Sequence, residues 1–374
     1  MLSAIANRTT LVDSVGAIVR VIEKTNTIPI LGHMLIKAGP DGLTFTATDL
    51  DIVATAKMGA AVSGNGSLTA PGHLLFDILR KLPKQADVAI SESEPGLLAI
   101  KAGKSRFALQ TLAVLDFPSS NLDQETRYTH QFSISGSGLA RMLGDTAFTA
   151  SHEDTRHYLN GVHLHSMPKG NEQLLRWVAT DGHRMARLEM LAPDRMADMP
   201  PIIIPNKAVS YVLRLAGDCE TVHVSLSQGV IKFDFGATAI TSKLIDGTFP
   251  DYERVIPAGN DHRCTVAKGA LIAAVGRVAA MASRNSRRIS LSFSQGTLNL
   301  CCKDPDSGAA EEAIDADYEG DPAEIFFNAD YLLSIADHVQ GEQIIFAFPG
   351  PEAAGVIHGP ARPDDLFVLM SLRR

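Results

Sequence analysis

Two things are scarce in this 374-residue chain: cysteine, with four residues, and long uninterrupted apolar runs. No run approaches the ~18–20 apolar residues that span a bilayer, so a membrane-spanning protein is not expected. The N-terminus lacks the basic start and continuous apolar segment of a secretory signal, and we expect a cytoplasmic protein. The cysteines show no CxxC spacing, and the adjacent Cys301 and Cys302 do not easily close an unstrained disulfide. This pattern indicates buried thiols in a reducing compartment.

The rest of the composition is that of an ordinary globular protein, with 45% hydrophobic and 20% charged residues. The length is enough for two or three domains of ~100–150 residues each. The formal charge of −8 would repel nucleic acid if it were spread evenly over the surface. The distribution of the charge along the chain therefore decides whether nucleic acid is a plausible ligand.

Six segments of the chain have the i, i+3, i+4, i+7 apolar spacing of amphipathic helices. Their starts lie roughly 60–70 residues apart, a periodicity typical of a repeated unit. Alternating, strand-like runs that end in turn residues fill the intervals between them. We predict helices over residues 3–24, 71–84, 136–147, 205–218, 267–283 and 328–340.

Short motifs recur at a fixed distance along the chain. Thr48-Asp49 and Thr180-Asp181 are 132 residues apart, and so are Phe117-Pro118 and Phe249-Pro250. A third copy is weaker, because CKDPDSG at 302–308 stands where the Thr-Asp turn would be. Two independent motifs at one offset indicate duplication, with a helix-plus-sheet unit occurring twice in each copy. The sequence therefore predicts an α+β fold of three homologous domains, 1–127, 128–259 and 260–374.

Basic charge is concentrated in the predicted helices. With the fifth helix extended to residue 288, the six segments hold 14 Lys and Arg against seven Asp and Glu, a net +7 that leaves −15 for the remainder. An acidic protein whose basic residues lie on one structural layer is suited to attract a polyanion there. The alternative is the ordinary preference of helix C-termini for Lys and Arg, which explains some of these positions.

Asp181, His183 and Arg184 surround Gly182 in the stretch VATDGHRMAR and resemble a catalytic cluster. A hydrolase using Asp181 and His183 is one hypothesis, because the two side chains can point the same way. However, no GxSxG, HExxH or P-loop motif accompanies them. The matching Thr48-Asp49 has no following His, which favours a structural turn whose carboxylate caps backbone N–H groups.

Two histidine-containing clusters have the residue types of a metal site. His163 and His165 lie on one face of a predicted strand and could bind zinc, although no third ligand is evident. Histidines on a surface strand are the commoner explanation. The cluster His152-Glu153-Asp154 with His157 lies in a polar connection, which favours a solvated loop.

Several longer stretches resemble the bacterial sliding clamps, the DNA polymerase III beta subunit family. Together they extend over all three predicted domains, and ATDGHR with SKLIDGTFPDY is the most specific combination. The stretches are TIPIL (27–31), TDLD (48–51), KSRFALQTL (104–112), DFP (116–118), YLNGV (158–162), ATDGHRMA (179–186), TSKLIDGTFPDYERV (241–255) and VLMSLRR (368–374).

The resemblance implies a non-catalytic processivity factor without cofactor or metal. Two subunits of three domains would join head to tail in a ring, with helices lining the hole and antiparallel sheets outside. The implied partners are duplex DNA, bound without sequence specificity, the polymerase III alpha subunit, the clamp loader delta subunit and other proteins with a clamp-binding motif. The resemblance implies DNA-facing positions at Lys24, Arg80, Arg141, Lys207 and Arg214.

The resemblance also implies a groove between the second and third domains that binds short partner peptides through leucine or aromatic anchors. Ring closure would pair the first domain with the third, through Phe107, Leu109, Ala280, Met281, Glu311 and Glu312. The implied groove residues are Leu159, Thr180, Gly182, His183, Arg184, Met185, Pro250, Arg254, Val255, Asn328, Tyr331, Val368, Met370 and Leu372.

The chain departs from the family pattern in three places. The family commonly ends in Met-Pro-Met-Arg-Leu, whereas this chain ends in Met370-Ser-Leu-Arg-Arg374, which bears on groove affinity. Thr25 stands where an Arg often precedes the TxPIL stretch. Ala280 is small for a subunit interface, so a ring of modest stability is expected. A diverged scaffold that does not encircle DNA is therefore a further hypothesis.

Overall fold

The structure, a computed structural model, describes most of the chain. Residues 119–126, beside the predicted boundary between the first two domains, and Arg374 lie outside the described residues. The described residues are 1–25, 27–118, 127–194, 196–283, 287–305 and 308–373.

Six α-helices lie at the six predicted positions. The first was predicted to begin too early: Ser3–Asn7 is a strand, with Ala4 and Ala6 buried in alternation, and the helix follows an Asn7 side chain that accepts from the Thr9 N–H at 2.8 Å. Pro71 and Pro205 each stand immediately before a helix, as expected. The helices are α1 (Arg8–Ile18), α2 (Gly72–Lys81), α3 (Gly136–Ala147), α4 (Asn206–Ala216), α5 (Lys268–Val278) and α6 (Ala329–His338).

The strands are antiparallel throughout the described pairings. They are β1 (Ser3–Asn7), β2 (His33–Gly39), β3 (Gly42–Thr48), β4 (Ile52–Met58), β5 (Ala61–Gly64), β6 (Gly66–Pro71), β7 (Asp87–Glu94), β8 (Leu97–Ala102), β9 (Ser105–Gln110), β10 (His130–Ser135), β11 (Gly161–Lys169), β12 (Glu172–Thr180), β13 (Arg184–Leu191), β14 (Ile202–Pro205), β15 (Thr221–Leu226), β16 (Val230–Asp234), β17 (Thr238–Lys243), β18 (His262–Ala267), β19 (Arg288–Ser294), β20 (Thr297–Asp304), β21 (Gly308–Tyr318), β22 (Ala323–Asn328), β23 (Gln343–Phe348), β24 (Gly355–Gly359) and β25 (Arg362–Leu369).

The chain divides into two compact units: unit 1, Met1–Ala140 with Lys207–Leu244, and unit 2, Arg141–Asn206 with Ile245–Arg374. Unit 1 holds a five-stranded sheet in the order β5-β1-β7-β8-β9 and an eight-stranded sheet in the order β10-β15-β16-β17-β4-β3-β2-β6. Pairing of β17 with β4 makes one sheet from strands of the first and second predicted repeats. The second repeat is thus divided between the two units.

Unit 2 is built on one sheet of twelve strands, in the order β14-β11-β12-β13-β25-β24-β23-β18-β21-β20-β19-β22. Here β13 of the second repeat pairs with β25 of the third, with Met185 opposite Val368. Helices pack on this sheet through one apolar face each, for example Leu271 and Val275 of α5 and Leu332 and Ile335 of α6, all buried.

None of the helices in the described ranges is long and apolar enough to cross a membrane. Cys264 and Cys302 are buried, whereas Cys219 and Cys301 are half-buried. Burial raises the pKa of the Cys264 thiol to about 12. The prediction of buried thiols therefore holds fully for two of the four cysteines.

Candidate ligand groove and its turn

The Thr-Asp turn of unit 2 connects β12 to β13 and is closed by its own side chains. Asp181 Oδ1 accepts from the backbone N–H groups of His183 and Arg184, at 2.9 and 3.0 Å. Thr180 Oγ1 accepts from the Gly182 N–H at 3.0 Å and donates to the Arg184 carbonyl at 2.8 Å. Gly182 has a φ of +89°, which glycine adopts without steric cost.

The same turn occurs in unit 1 between β3 and β4. Asp49 Oδ1 accepts from the backbone N–H groups of Asp51 and Ile52, at 3.0 and 2.7 Å, and Thr48 Oγ1 accepts from that of Leu50 at 3.1 Å. Leu50 has a φ of +82°, close to that of Gly182. The repeated Thr-Asp is therefore a structural capping turn in both copies.

The second carboxylate oxygen distinguishes the two turns. Asp181 Oδ2 accepts from Arg184 Nε at 3.0 Å. Asp49 Oδ2 instead pairs with Lys207 Nζ at 2.6 Å, and this ammonium also pairs with Glu23 at 2.6 Å. The carboxylate of Asp181 thus bonds the backbone of His183 and the side chain of Arg184, an arrangement that orients Arg184.

Arg184 is held on several sides. Its guanidinium carbon lies 4.7 Å from the ring centre of Tyr331 and 5.4 Å from that of Phe148, both within cation–π range. Its Nη1 also donates to Ser334 Oγ, and the His183 ring stacks on Tyr331 with centroids 5.9 Å apart. A cation fixed in this way presents a defined donor without having to be ordered by a ligand.

A cavity of about 170 Å³ opens beside this turn, and its lining is almost wholly apolar. A larger cavity of about 830 Å³ lies on β19 to β22, but half of its lining is polar, and ligand sites are predominantly apolar with few polar groups. The smaller cavity is therefore the better candidate. It is lined by Leu159, Thr180, Gly182, Arg184, Met185, Pro250, Asp251, Tyr252, Val255, Val368 and Met370.

Nine of the fourteen predicted groove residues line this cavity, and the other five lie elsewhere in unit 2. Tyr331 contacts Arg184 and His183, and Asn328 caps α6 by accepting from the Tyr331 N–H at 3.2 Å. Arg254 is exposed and pairs with Asp251 at 2.8 Å, while the Leu372 N–H donates to the Phe326 carbonyl at 2.7 Å.

The C-terminal departure from the family pattern has a visible consequence. The Met370 N–H donates to the His183 carbonyl at 2.9 Å and so continues the β13–β25 pairing past the end of the strand. Ser371 Oγ donates to the Glu352 carbonyl at 2.8 Å. The terminal segment is thus fixed beside the groove by hydrogen bonds, and Arg374 lies outside the described residues.

Sequence reasoning missed four residues around the groove. Tyr252 and Asp251 line the cavity and lie within the stretch DGTFPDY, whose periodicity gave no sign of which side chains face inward. Phe148 and Ser334 contact Arg184 from α3 and α6 neighbours that are distant in sequence. No local signal identifies the last two, because only the tertiary fold brings them to Arg184.

The predicted DNA-facing residues fall into two groups. Lys24, Arg80 and Arg214 are exposed. Lys207 belongs to the ion pairs with Asp49 and Glu23; burial lowers the pKa of its ammonium, but the hydrogen bonds to these carboxylates outweigh burial, and the pKa is raised.

Arg141 is likewise engaged within unit 2. Its Nη1 pairs at 2.7 Å with Asp365, whose carboxyl has a pKa raised chiefly by burial. Arg141 and Lys207 thus spend at least part of their charge on carboxylates of their own unit, and the prediction that they face DNA rests on weaker ground than it does for the exposed cations.

The predicted interface residues differ in how much surface they offer. Phe107 and Ala280 are exposed, and Glu311 is exposed on β21. Leu109 is only 3% exposed, so its side chain already belongs to the core of unit 1. Glu312 is bound by Arg277, with Nε donating to Oε2 at 2.9 Å.

Three repeats of paired helices and antiparallel sheet define the DNA-clamp class of fold. Family models describing the N-terminal, central and C-terminal domains of the DNA polymerase III beta subunit match residues 2–123, 133–251 and 253–373. The chain therefore belongs to the DNA polymerase III beta subunit family, and the predicted family is confirmed.

Individual relatives agree with this assignment over the whole length. The beta sliding clamp of Caulobacter vibrioides is 40% identical over 368 residues, 98% of each chain. Among solved structures, the DnaN sliding clamp of Bartonella birtlesii, bound to griselimycin, has a TM-score of 0.96 at 38% identity and covers 100% of both chains. The Caulobacter crescentus sliding clamp has a TM-score of 0.93 at 40% identity over 100% of both chains. The predicted fold of three clamp domains is thus confirmed.

Proposed function

We propose that two copies of this chain close head to tail into a ring that encircles duplex DNA and tethers a replicative polymerase for processive synthesis. The observation that carries the proposal is the full-length similarity to sliding clamps in sequence and in fold. The domain division proposed for each copy is 1–127, 128–259 and 260–374.

Two sheet edges support ring closure. In unit 1, β9 is the last strand of the five-stranded sheet and pairs with β8. In unit 2, residues 308–315 of β21 pair with β20, while only 316–318 also pair with β18. An unpaired edge with exposed groups such as Phe107 is a template for another strand. Because each copy offers one edge of each kind, two copies joined β9 to β21 form a closed dimer with two equal interfaces.

The charge distribution supports a sliding contact with DNA. Exposed cations on predicted DNA-facing positions, among them Lys24, Arg80 and Arg214, would attract phosphates of any sequence. Topological enclosure keeps the ring on DNA, so each phosphate contact can be weak. Strong individual contacts would slow the movement of the ring along the duplex.

The groove of unit 2 is proposed to bind short peptide segments of the polymerase III alpha subunit, the clamp loader delta subunit and other partners. Its apolar lining suits leucine or aromatic anchors, and Met185 and Met370 supply adaptable surfaces for several partners. Griselimycin, which the Bartonella relative binds, is a candidate ligand for this chain.

The proposed function is non-catalytic, against the hypothesis of a hydrolase. Both oxygens of Asp181 are engaged by the turn and by Arg184, which favours a role in recognition. Full-length similarity to clamps also weighs against a scaffold that does not encircle DNA.

Encirclement is tested by comparing retention on circular and linear DNA. The protein is loaded by its clamp loader and ATP onto a nicked plasmid, which is then cut once, and the fraction still bound is followed with time. We expect retention on the uncut circle and rapid loss after cutting. Equal release from both would overturn the ring, as would a solution mass that stays at the 40.0 kDa of one chain at micromolar concentration.

A further inference from the structure

We propose that His163 and His165 on β11 are positioning residues for ligand binding, because they hold residues 249–255 in place as one wall of the groove. The inference rests on the proposed function of the groove as a peptide site. It assigns a role to a histidine pair that neither the turn nor the cavity lining includes.

His163 anchors the start of the wall through its ring. It stacks on Phe249 with ring centres 4.6 Å apart and planes within 4° of parallel. Its Nδ1 donates to the Ile202 carbonyl at 3.1 Å, which fixes the ring on neighbouring β14. Phe249 is buried in the apolar cluster that also contains Met185 and Val368 of the groove floor.

His165 anchors the wall three residues further on, through the hydroxyl of Tyr252. Its Nε2 lies 2.8 Å from this hydroxyl, which also accepts from Arg176 Nη1 at 3.2 Å. Because arginine is always a donor, the hydroxyl proton points to His165, whose Nε2 must accept as a neutral imidazole. Nδ1 of His165 then carries the proton and faces the Ser166 carbonyl at 3.4 Å.

Arg176 is itself fixed behind the wall. Its Nε donates to Glu189 Oε1 at 2.7 Å, and this carboxylate has a side chain only 4% exposed. Arg176 Nη1 also pairs with Glu253, the residue after Tyr252. The hydroxyl of Tyr252 therefore has its position set by two partners, one of which is held by a buried carboxylate.

These anchors decide where the ligand-facing residues stand. Tyr252 is 8% exposed and its ring lines the cavity, as do the neighbouring Pro250, Asp251 and Val255. Residues Tyr252–Val255 form a 3-10 helix, so fixing Phe249 and Tyr252 fixes the intervening turn. A wall that is already in place spares the ligand the entropy of ordering it.

The chemistry of the pair fits this role better than a metal site. Burial lowers the pKa of both imidazoles, that of His163 to about 4, so both are neutral near pH 7 as the hydrogen bonds require. His163 Nδ1 and His165 Nε2 are already bonded to the protein. In the described part of the chain no group of three or more His, Cys, Asp or Glu residues is placed to hold a metal ion.

The first repeat shows which part of the device is replaceable. Positions 163 and 249 correspond at the offset of 132 to Leu31 and Phe117, which pack together in an apolar cluster of unit 1. Leucine against phenylalanine thus occupies the place of the His163–Phe249 stack. The hydrogen bond from Tyr252 to His165 is the more specific contact, and it is the one to test.

The test measures binding of a fluorescein-labelled hexapeptide ending in Leu-Phe to the full chain by fluorescence anisotropy. His165→Leu removes the acceptor and leaves the Tyr252 hydroxyl partly unsatisfied, and we expect about tenfold weaker binding. Tyr252→Phe removes the same hydrogen bond, and the double variant should be no worse than either single one. His165→Gln keeps an acceptor near the Nε2 position and should bind within about threefold of the wild type.

Two controls separate positioning from general damage. His223→Leu makes the same substitution at a strand histidine of unit 1, whose Nδ1 lies 2.8 Å from Ser133 Oγ, and should leave binding unchanged. Amide hydrogen exchange in the free protein should rise at 249–255 in His165→Leu and stay at the wild-type rate at 180–186. If His165→Leu does not fold, Tyr252→Phe decides, because it removes a single oxygen atom.

The outcomes distinguish this inference from the proposed function. A wild-type chain that does not bind the peptide, and whose binding-deficient control Met370→Asp is no different, overturns the groove as a peptide site and the inference with it. A wild type that binds, with His165→Leu and Tyr252→Phe within twofold of it, overturns only the role of the histidines. Failure of His165→Gln to restore binding also counts against the hydrogen bond.

Discussion

The turn at residues 48–52 in unit 1 and the turn at 180–184 in unit 2 have the same backbone and the same internal hydrogen bonds, yet they do different work. In each, a threonine hydroxyl and one aspartate oxygen bind the backbone N–H groups that follow. Position 52 is a buried Ile and position 184 an Arg held between aromatic rings. One turn contributes to a core, and the other forms the edge of a groove.

The comparison shows that the capping pattern sets the backbone while the residues after it set the use. In unit 1 the free aspartate oxygen binds Lys207 and stabilises packing. In unit 2 the corresponding oxygen binds Arg184 and orients it toward the cavity. A polar cluster that resembles a catalytic site is thus a structural turn with a recognition residue added.

The largest effect is expected when the two divergent positions are each cut to alanine. Arg184→Ala removes a charged donor at the groove, and we expect peptide affinity to fall about ten- to hundredfold. The matched Ile52→Ala should instead cost about 2–4 kcal/mol of stability and leave affinity unchanged. Anisotropy titration and denaturant unfolding measure both, and equal affinity for Arg184→Ala and wild type would break the comparison.

A second test uses pH and the pair His163 and Leu31. The folded pKa of His163, about 4, is below its unfolded value of 6.5, so only the unfolded state gains this proton between those values. Stability from this group is present above pH 6.5 and is lost as the pH falls toward 4, by about 1 kcal/mol near pH 5.5. His163→Leu, which copies the first repeat, should lose less between pH 7 and 5.5 in thermal unfolding. Parallel losses in both proteins would show that His163 titrates freely.

Exchanging charge for an amide sharpens the difference between the aspartates. Asp181→Asn keeps an oxygen for the backbone N–H groups but loses the ion pair with Arg184, and we expect peptide affinity to fall about three- to tenfold. Asp49→Asn leaves Lys207 paired with Glu23 and should cost about 1 kcal/mol of stability without changing affinity. A change of affinity in Asp49→Asn would contradict the separation of roles.

The smallest effect concerns the left-handed residue. Leu50→Gly relieves a φ of +82° in a residue with a side chain, and a stabilisation of about 0.5 kcal/mol is expected after the added freedom of the unfolded chain is counted. Gly182→Ala should have the opposite sign, about 1 kcal/mol, and its new Cβ would lie 2.9 Å from Arg156 Nη1. Unfolding free energies of both variants give the signs directly, and a destabilised Leu50→Gly would be the unexpected result.

Local patterns in the sequence predicted much of this fold. The bounds of α3 agree with the structure, and the Thr-Asp offset of 132 identified two turns whose hydrogen bonds match. The error at α1 arose because Ala4 and Ala6 fit both helical and strand spacing, and pairing with β7 decided for the strand. Local spacing could not show that the second repeat shares its sheets with both neighbours.

The groove was less predictable than the fold. Apolar residues in the quoted motifs were found because they recur in the family, whereas Phe148, Ser334 and Tyr252 depend on long-range packing. The partners of each aspartate oxygen also lay beyond the sequence, since Lys207 and Arg184 are 158 and three residues away from the carboxylates they bind. Charge alone suggested that Lys207 and Arg141 face DNA, and it could not show which carboxylates would engage them.

The most direct measurement is amide hydrogen exchange of the full chain with and without the labelled hexapeptide. The account predicts that bound peptide slows exchange at 180–186 and at 250–255 and leaves 48–54 unchanged, because only the second copy of the turn borders a ligand site. Slower exchange at 48–54, or unchanged exchange at 180–186 under saturating peptide, would contradict it.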